Sequence, residues 1–135
     1  MSKSEVSDLS RINLTDDKNQ IINKIKKAKT DALPLPSTIE ELEKRPEAKN
    51  LIGIYSSLMN NKLQNTIDEF AGKNFSEFKE KLSDIVVNEI NPISLRIKEL
   101  LNDKFFLDKV LKDGYEKANE IASKKIKKIH EIVGF

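Results

Sequence analysis

The chain has 135 residues, of which 38% are apolar and 34% charged, and its 24 Lys and Arg nearly balance 22 Asp and Glu. The near-neutral balance gives no argument for nonspecific nucleic-acid binding, and the apolar content is too high for a disordered chain. Because there is no cysteine and a single histidine, thiolate zinc sites and His-rich metal clusters are excluded. No apolar run reaches the roughly 18 residues of a membrane span. We therefore expect one cytoplasmic domain with no metal site and no membrane contact.

The N-terminal third predicts two helical segments separated by a linker that contains prolines. Thr15 is the expected N-cap of a helix over residues 16–30, in which isoleucines recur at the spacing of one buried face. The sequence "DALPLPS" over residues 31–37 ends this helix, because each proline disfavours helical backbone at the residue before it. Ser37 and Glu40 then have the spacing of a capping box for a short second helix.

The middle of the chain predicts three further helices. The first covers residues 47–59, and the next is short and ends at Phe70, with Gly72 as a left-handed residue after it. From Phe75 to Leu101 the apolar residues keep helical spacing throughout. Pro92 lies inside this repeat, where we expect a kink or a break because proline removes one backbone hydrogen bond.

The C-terminal third predicts two helices, over residues 105–112 and from Asp113 or Gly114 to Val133, with Gly134 as the C-cap. A stripe of isoleucines and alanines marks the buried face of the last helix. Together these patterns predict an all-α protein, a bundle of five to six helices.

Few residues in the sequence could carry chemistry. His130 is expected at the surface, and the carboxylates show no spacing typical of a general acid and base. The glycines are scattered and form no phosphate-binding loop. Two lysine clusters occur at residues 24–29 and 124–128. Hydrated faces of amphipathic helices are favoured for both, and phosphate contacts are the alternative.

A family resemblance emerges from segments that follow one another along the whole chain. The "MSKS" of residues 1–4 is similar to four-fifths of the Lys-Met-Ser-Lys-Ser signature of class I aminoacyl-tRNA synthetases. The other segments resemble bacterial tryptophanyl-tRNA synthetases: "NKIKKAKTD" (23–31), "KNLIGIYSSLMN" (49–60), "EFAGKNFSEFKEKLSDIVVNEINPI" (69–93) and "FLDKVLKDGYEKANEIASKKIKKIHEIVGF" (106–135). The last block separates this family from the tyrosyl-tRNA synthetases.

The resemblance implies that the chain is the C-terminal portion of an ATP-dependent ligase and begins inside the signature. It makes Lys3 a contact of the ATP phosphates, and it places Met1, Ser2 and Ser4 in the same nucleotide-binding loop. The first signature lysine and the whole Rossmann domain are absent, so no complete catalytic site is expected. The intact enzyme uses ATP with Mg²⁺, tryptophan and tRNA(Trp). The isolated chain is expected to need its missing N-terminal half and to bind no cofactor.

The resemblance also assigns regions to functions. Residues 1–14 are the expected remnant of the signature loop and should be mobile, and residues 15–135 correspond to the region that receives the tRNA anticodon stem. Lys112, Asp113 and Lys117 are candidate tRNA contacts, although helix capping and surface ion pairing are favoured for them. A homodimer is an expected assembly. The alternatives are a stand-alone helical module that binds tRNA or protein without catalysis, and an inert gene remnant.

Overall fold

The computed structural model describes residues 6–134 of the chain. In this range a short 3-10 turn, Asp8–Ser10, is followed by six α-helices, and no β-strand occurs. The helices are α1 (Lys18–Lys27), α2 (Ile39–Glu43), α3 (Pro46–Leu58), α4 (Leu63–Phe70), α5 (Phe75–Asn102) and α6 (Lys104–Val133). The all-α class and the number of helices predicted from the sequence are confirmed.

Helix α1 begins two residues later than predicted, with Asp17 and not Thr15 as its N-cap. The Asp17 carboxylate accepts from the Gln20 N–H at 2.9 Å, and the Gln20 Oε1 accepts from the Asp17 N–H at 2.8 Å. This reciprocal pair is a capping box. It satisfies N–H groups that have no partner inside the helix, which explains why the helix begins at this point.

The cap of α2 is displaced from its predicted position by one residue. Thr38 is the N-cap and its hydroxyl accepts from the Glu41 N–H, while the Glu41 carboxylate accepts from the Ser37 N–H. The predicted box of Ser37 with Glu40 is therefore wrong, although the helix itself is present.

The hydrophobic core is built by α1, α2, α3, α4 and the first half of α5, together with one residue of the linker. At its centre Phe70 lies edge-on to both Tyr55 and Phe78, with ring centroids 4.9 Å apart in each pair. Such edge-to-face pairs add about 0.5–1.5 kcal/mol to the gain from burial. The buried apolar residues are Ile21, Ile25, Leu35, Leu42, Ala48, Leu51, Ile52, Tyr55, Ile67, Phe70, Phe78, Leu82, Val86 and Val87.

The linker between α1 and α2 is tied to the turn between α4 and α5. Gly72 has the left-handed conformation predicted for it, with φ of 71°. Its N–H donates to the Leu35 carbonyl at 3.0 Å, and the Leu35 N–H donates to the Lys73 carbonyl at 2.9 Å. These two bonds hold Leu35 in the core.

Two expected helix interruptions are absent. Helix α5 continues through Pro92, so of the kink or break predicted there the break does not occur. Pro92 and Asn88 are both exposed, and water can bind the carbonyl that the proline leaves unpaired. Helix α6 likewise continues through Asp113 and Gly114, where a helix start was predicted. A single glycine inside a helix costs only about 1 kcal/mol. Gly134 caps α6 as predicted, with φ of 85°.

The chain divides into two compact units, one ending at Leu95 and the other beginning at Arg96. The first unit contains the core described above. The second comprises the end of α5 and all of α6. No residue of α6 is buried, and Ile121, Ile126 and Ile132 of the predicted buried stripe are exposed to 64%, 53% and 75%. The burial predicted for this stripe is wrong, because a unit of about 40 residues builds no core of its own.

Candidate functional site

The predicted nucleotide-binding residues Met1, Ser2, Lys3 and Ser4 lie outside the described residues. The described chain starts at Val6, whose side chain is almost fully exposed. Ser7 then caps the 3-10 turn, with its hydroxyl accepting from the Leu9 N–H at 3.3 Å. The structure therefore describes the segment that follows the signature and its attachment to the helical unit.

This attachment is centred on a buried lysine. The Lys24 Nζ lies 2.6 Å from the Asp16 Oδ2 and 2.7 Å from the Asp8 Oδ2. The side chains of Lys24 and Asp16 are each 5% exposed, whereas Asp8 is 56% exposed. We call these three residues the Lys24 cluster. A buried ion pair of this kind costs several kcal/mol when one partner is removed, because the other charge is left without compensation.

The contacts within the cluster shift the pKa values of Lys24 and Asp8. Burial opposes the charged form of Lys24, but its hydrogen bonds with Asp16 and Asp8 outweigh that cost and raise the pKa of the ammonium. The hydrogen bond from Lys24, and a second one from Asn13, lower the pKa of Asp8. Both groups are therefore charged at neutral pH, and the ion pair is intact.

Lys24 had been expected on the hydrated face of α1 with the other lysines of residues 24–29. The structure corrects this for Lys24, whereas Lys26, Lys27 and Lys29 are exposed as expected. The signal was present in the sequence, because position 24 is three residues after Ile21 and four before Ala28, on the apolar face. A lysine at such a position indicates a buried acidic partner.

An apolar cleft of about 340 Å³ lies next to the Lys24 cluster. Its walls are the N-terminal segment, α1, α3 and α5. The apolar lining includes Leu9, Ile12, Ile25, Leu51, Ile54 and Val86, and the polar lining includes Lys27, Lys29 and Glu47. The segment that follows the signature thus forms one wall of this cleft.

A second lysine that sequence reasoning missed holds the other end of α1. The Lys79 Nζ donates to the Ala28 carbonyl at 2.7 Å, to the Lys26 carbonyl at 3.3 Å and to the Thr30 hydroxyl at 3.4 Å. Lys79 belongs to the "FK" of the segment 69–93, where burial lowers its pKa. It supplies a cation to the negative end of the α1 dipole.

The candidate tRNA contacts lie together on α6 and are all exposed. The Lys112 Nζ is 4.0 Å from the Glu116 carboxylate, at the limit of an ion pair. Asp113 and Lys117 are one helical turn apart and share a face. Asp113 is in the middle of α6, so the helix-capping role favoured for it is wrong.

The described residues show neither a metal site nor a membrane-spanning helix. Within residues 6–134 no three His, Asp or Glu side chains approach closely enough to hold a metal ion. Over the same range, each helix is too short or too polar to cross a membrane.

Comparison with known proteins decides the family. Residues 1–91 match the family described as tRNA synthetases class I (W and Y). The chain belongs to this family of class I tRNA synthetases. Its relatives are tryptophan–tRNA ligases: it is 46% identical to that of Brucella melitensis biotype 1 and 47% identical to that of Agrobacterium fabrum, over all 135 residues. It is also 46% identical to the ligase of Rickettsia conorii.

The matches cover only part of each relative. The chain spans 38% of the Brucella and Agrobacterium ligases and 40% of the Rickettsia ligase. The matched part is C-terminal, in agreement with the region expected from the sequence. The synthetase family assignment and the all-helical class are therefore consistent with each other.

Proposed function

We propose that this chain is the C-terminal part of a cytoplasmic tryptophan–tRNA ligase and acts together with an N-terminal catalytic portion. The observation that carries the proposal is the match of the complete chain, at 46% identity, to the C-terminal 38% of a tryptophan–tRNA ligase. In such a ligase ATP with its Mg²⁺ activates tryptophan, and the aminoacyl group passes to tRNA(Trp).

In this proposal residues 1–14 form the loop that binds the nucleotide. Lys3 contacts the ATP phosphates, where negative charge develops during displacement of pyrophosphate, and a positioned ammonium stabilises that charge. Met1, Ser2 and Ser4 belong to the same loop, and the two serines supply small hydroxyl donors.

Residues 15–135 form the region that receives the tRNA. Lys112 and Lys117 are proposed contacts of the phosphate backbone, because such contacts require positive charge on a rigid element, and α6 provides one. Asp113, between them, is a proposed acceptor for a base or a ribose hydroxyl. The exposed apolar side chains of α6 favour association with another surface, either the N-terminal portion or a second copy of the chain.

The catalytic part of the proposal is tested with a chimeric ligase. The N-terminal portion of the Brucella melitensis ligase that this chain does not match is joined to residue 1. We expect tryptophan-dependent exchange between ATP and pyrophosphate, and charging of tRNA(Trp), from the chimera and from neither part alone. Turnover by the 135-residue chain alone would refute the requirement for a catalytic portion.

Two variants of the chimera test the role of Lys3. Lys3→Ala should lower kcat for tryptophan activation by about 10²–10³, the usual effect of removing one donor to a developing charge. Lys18→Ala, which removes an exposed lysine of α1, is the matched control and should leave kcat unchanged. Equal activity of the two variants would refute the nucleotide contact.

The tRNA contacts are tested by fluorescence anisotropy of labelled tRNA(Trp) with the chain alone, at two salt concentrations. Lys112→Ala with Lys117→Ala should weaken binding and reduce the salt slope by about one for each lost phosphate contact. Lys98→Ala with Lys104→Ala is the control for removal of two exposed lysines elsewhere in the second unit. A flat titration of the unsubstituted chain would exclude a stand-alone tRNA-binding module.

A further inference from the structure

The Asp8 carboxylate contacts three side chains, although it is 56% exposed. Its Oδ2 lies 2.7 Å from the Lys24 Nζ, and its Oδ1 accepts from the Asn13 Nδ2 at 2.9 Å. The Arg11 Nε lies 3.4 Å from the same Oδ1. Asp8 therefore connects the 3-10 turn to α1 and to the segment between them.

The positive charge of Lys24 does not require Asp8, because Asp16 already neutralises it. Asp16 is buried beside Lys24 at 2.6 Å, and its Oδ2 also accepts from the Asn13 N–H at 2.8 Å. One carboxylate balances one ammonium, so the buried pair is complete without a second anion. What Asp8 adds is a connection between that fixed pair and the N-terminal segment.

Hydrogen bonds around Asp8 close a turn, so that the side-chain contact of Asp8 also holds the neighbouring backbone. The Ser10 N–H and the Ser10 hydroxyl both donate to the Ser7 carbonyl, at 3.2 and 2.8 Å. The Ser7 hydroxyl accepts from the Leu9 N–H. Fixing Asp8 therefore fixes the three or four residues around it.

The attachment of the chain at Asp8 limits how far from it the signature residues can lie. Lys3 is five residues before Asp8 and nine before Ile12, which packs against the core. An extended chain spans at most about 3.6 Å per residue, so Lys3 reaches about 18 Å from Asp8 and would reach about 32 Å if Ile12 were the first fixed residue. The shorter radius reduces the accessible volume about sixfold, with a corresponding rise in effective concentration at a site within reach.

We propose that Asp8 is a positioning residue of the ligase, which holds the base of the nucleotide-binding loop on α1 through Lys24. The proposal rests on the role of Lys3 proposed above. Asp8 itself contacts no substrate, and it acts by restricting the volume in which Lys3 meets the ATP phosphates.

The first test uses the 135-residue chain and needs no activity. In Asp8→Asn, the backbone order parameters of Leu9 and Arg11 from ¹⁵N relaxation should fall below about 0.6, the range of flexible backbone. Asp8→Glu keeps a carboxylate and should restore most of the order. Asp84→Asn, which neutralises an exposed carboxylate of α5, is the control. Unchanged order in Asp8→Asn would overturn the proposal.

The second test uses the chimeric ligase and separates positioning from folding. Asp8→Asn should raise KM for ATP about five- to tenfold and leave KM for tryptophan unchanged, and Asp8→Glu should restore KM for ATP. A purely structural defect would reduce the active fraction and leave both KM values unchanged, and that result would overturn the proposal.

The Lys3→Ala chimera distinguishes this proposal from the one on which it rests. If Lys3→Ala has full activity while Asp8→Asn raises KM for ATP, the contact assigned to Lys3 fails, and Asp8 holds the base of the loop without acting through Lys3. If Lys3→Ala is inactive while Asp8→Asn behaves as the unsubstituted enzyme, the nucleotide loop stands and the positioning role is refuted.

Discussion

Replacing Lys79 with methionine should destabilise the helical core by removing the cation that caps α1. Methionine keeps most of the unbranched aliphatic stem, so the packing changes little. The substitution removes the 2.7 Å hydrogen bond to the Ala28 carbonyl and the longer contacts with Lys26 and Thr30. It also leaves the C-terminal carbonyls of α1 without their donor.

The magnitude follows from these contacts. A hydrogen bond from a charged donor contributes about 1.5–3 kcal/mol, and the contacts at 3.3 and 3.4 Å are near the geometric limit and add little. The cost of burying the ammonium, which lowers the pKa of Lys79, offsets part of this gain. We expect a net loss of about 1–3 kcal/mol in the free energy of unfolding.

The assay is urea unfolding followed by near-ultraviolet circular dichroism. This signal is dominated by Tyr55, which packs with Phe70 and Phe78 in the first unit, since Tyr115 of α6 is 67% exposed. Lys98→Met, at an exposed lysine on the same helix, is the control and should shift the midpoint little. A Lys79→Met variant within about 0.5 kcal/mol of the unsubstituted chain would refute the capping argument.

Three further predictions concern the same unit. Phe78→Ala should reduce the free energy of unfolding by about 3–5 kcal/mol, measured by urea titration, because a fully buried ring is lost from the core. Gly72→Ala should lower it by about 1–2 kcal/mol, seen as a lower Tm in calorimetry, because φ of 71° is strained for a residue with a Cβ. Hydrogen bonds from Arg45 lower the pKa of Asp31 below its usual 3.8, so the stability that this pair adds is complete above pH 3.8 and is lost as the pH falls through the folded-state pKa. The Asp31→Asn variant should therefore be less stable than the unsubstituted chain at pH 7 and lose less stability on acidification. An equal fall of the free energy of unfolding with pH in the two proteins would contradict this assignment.

Several features followed from local sequence alone. Apolar spacing and capping patterns predicted helix in every region where the structure has one, although α6 was expected as two helices, and Gly72 and Gly134 were recognised as left-handed residues after helices. These features depend on interactions within a few residues, and such interactions are encoded in short stretches of sequence. The cap of α1 lies two residues after its predicted position, because Asp16, next to the predicted cap, turns inward to Lys24, and the cap of α2 lies one residue after its predicted position.

The candidate site was predicted in part. The signature residues Met1–Ser4 could be found only through their resemblance to a family, because four residues carry little pattern of their own. The attachment of the loop through Asp8 was missed, since eight residues separate Asp16 from Lys24 and sixteen separate Asp8 from it. Nothing in local periodicity pairs charges over such distances.

The sequence by itself determined the helical class, the helix-ending glycines and the family. Only the tertiary structure decided which lysines are structural. Lys24 and Lys79 belong to a chain with many lysines, and they differ from the exposed ones by their burial and by partners far along the chain: two carboxylates for Lys24, and the end of a helix about fifty residues earlier for Lys79. A charge is held in a protein interior only where the fold brings compensating groups to it, and that requirement is met in three dimensions.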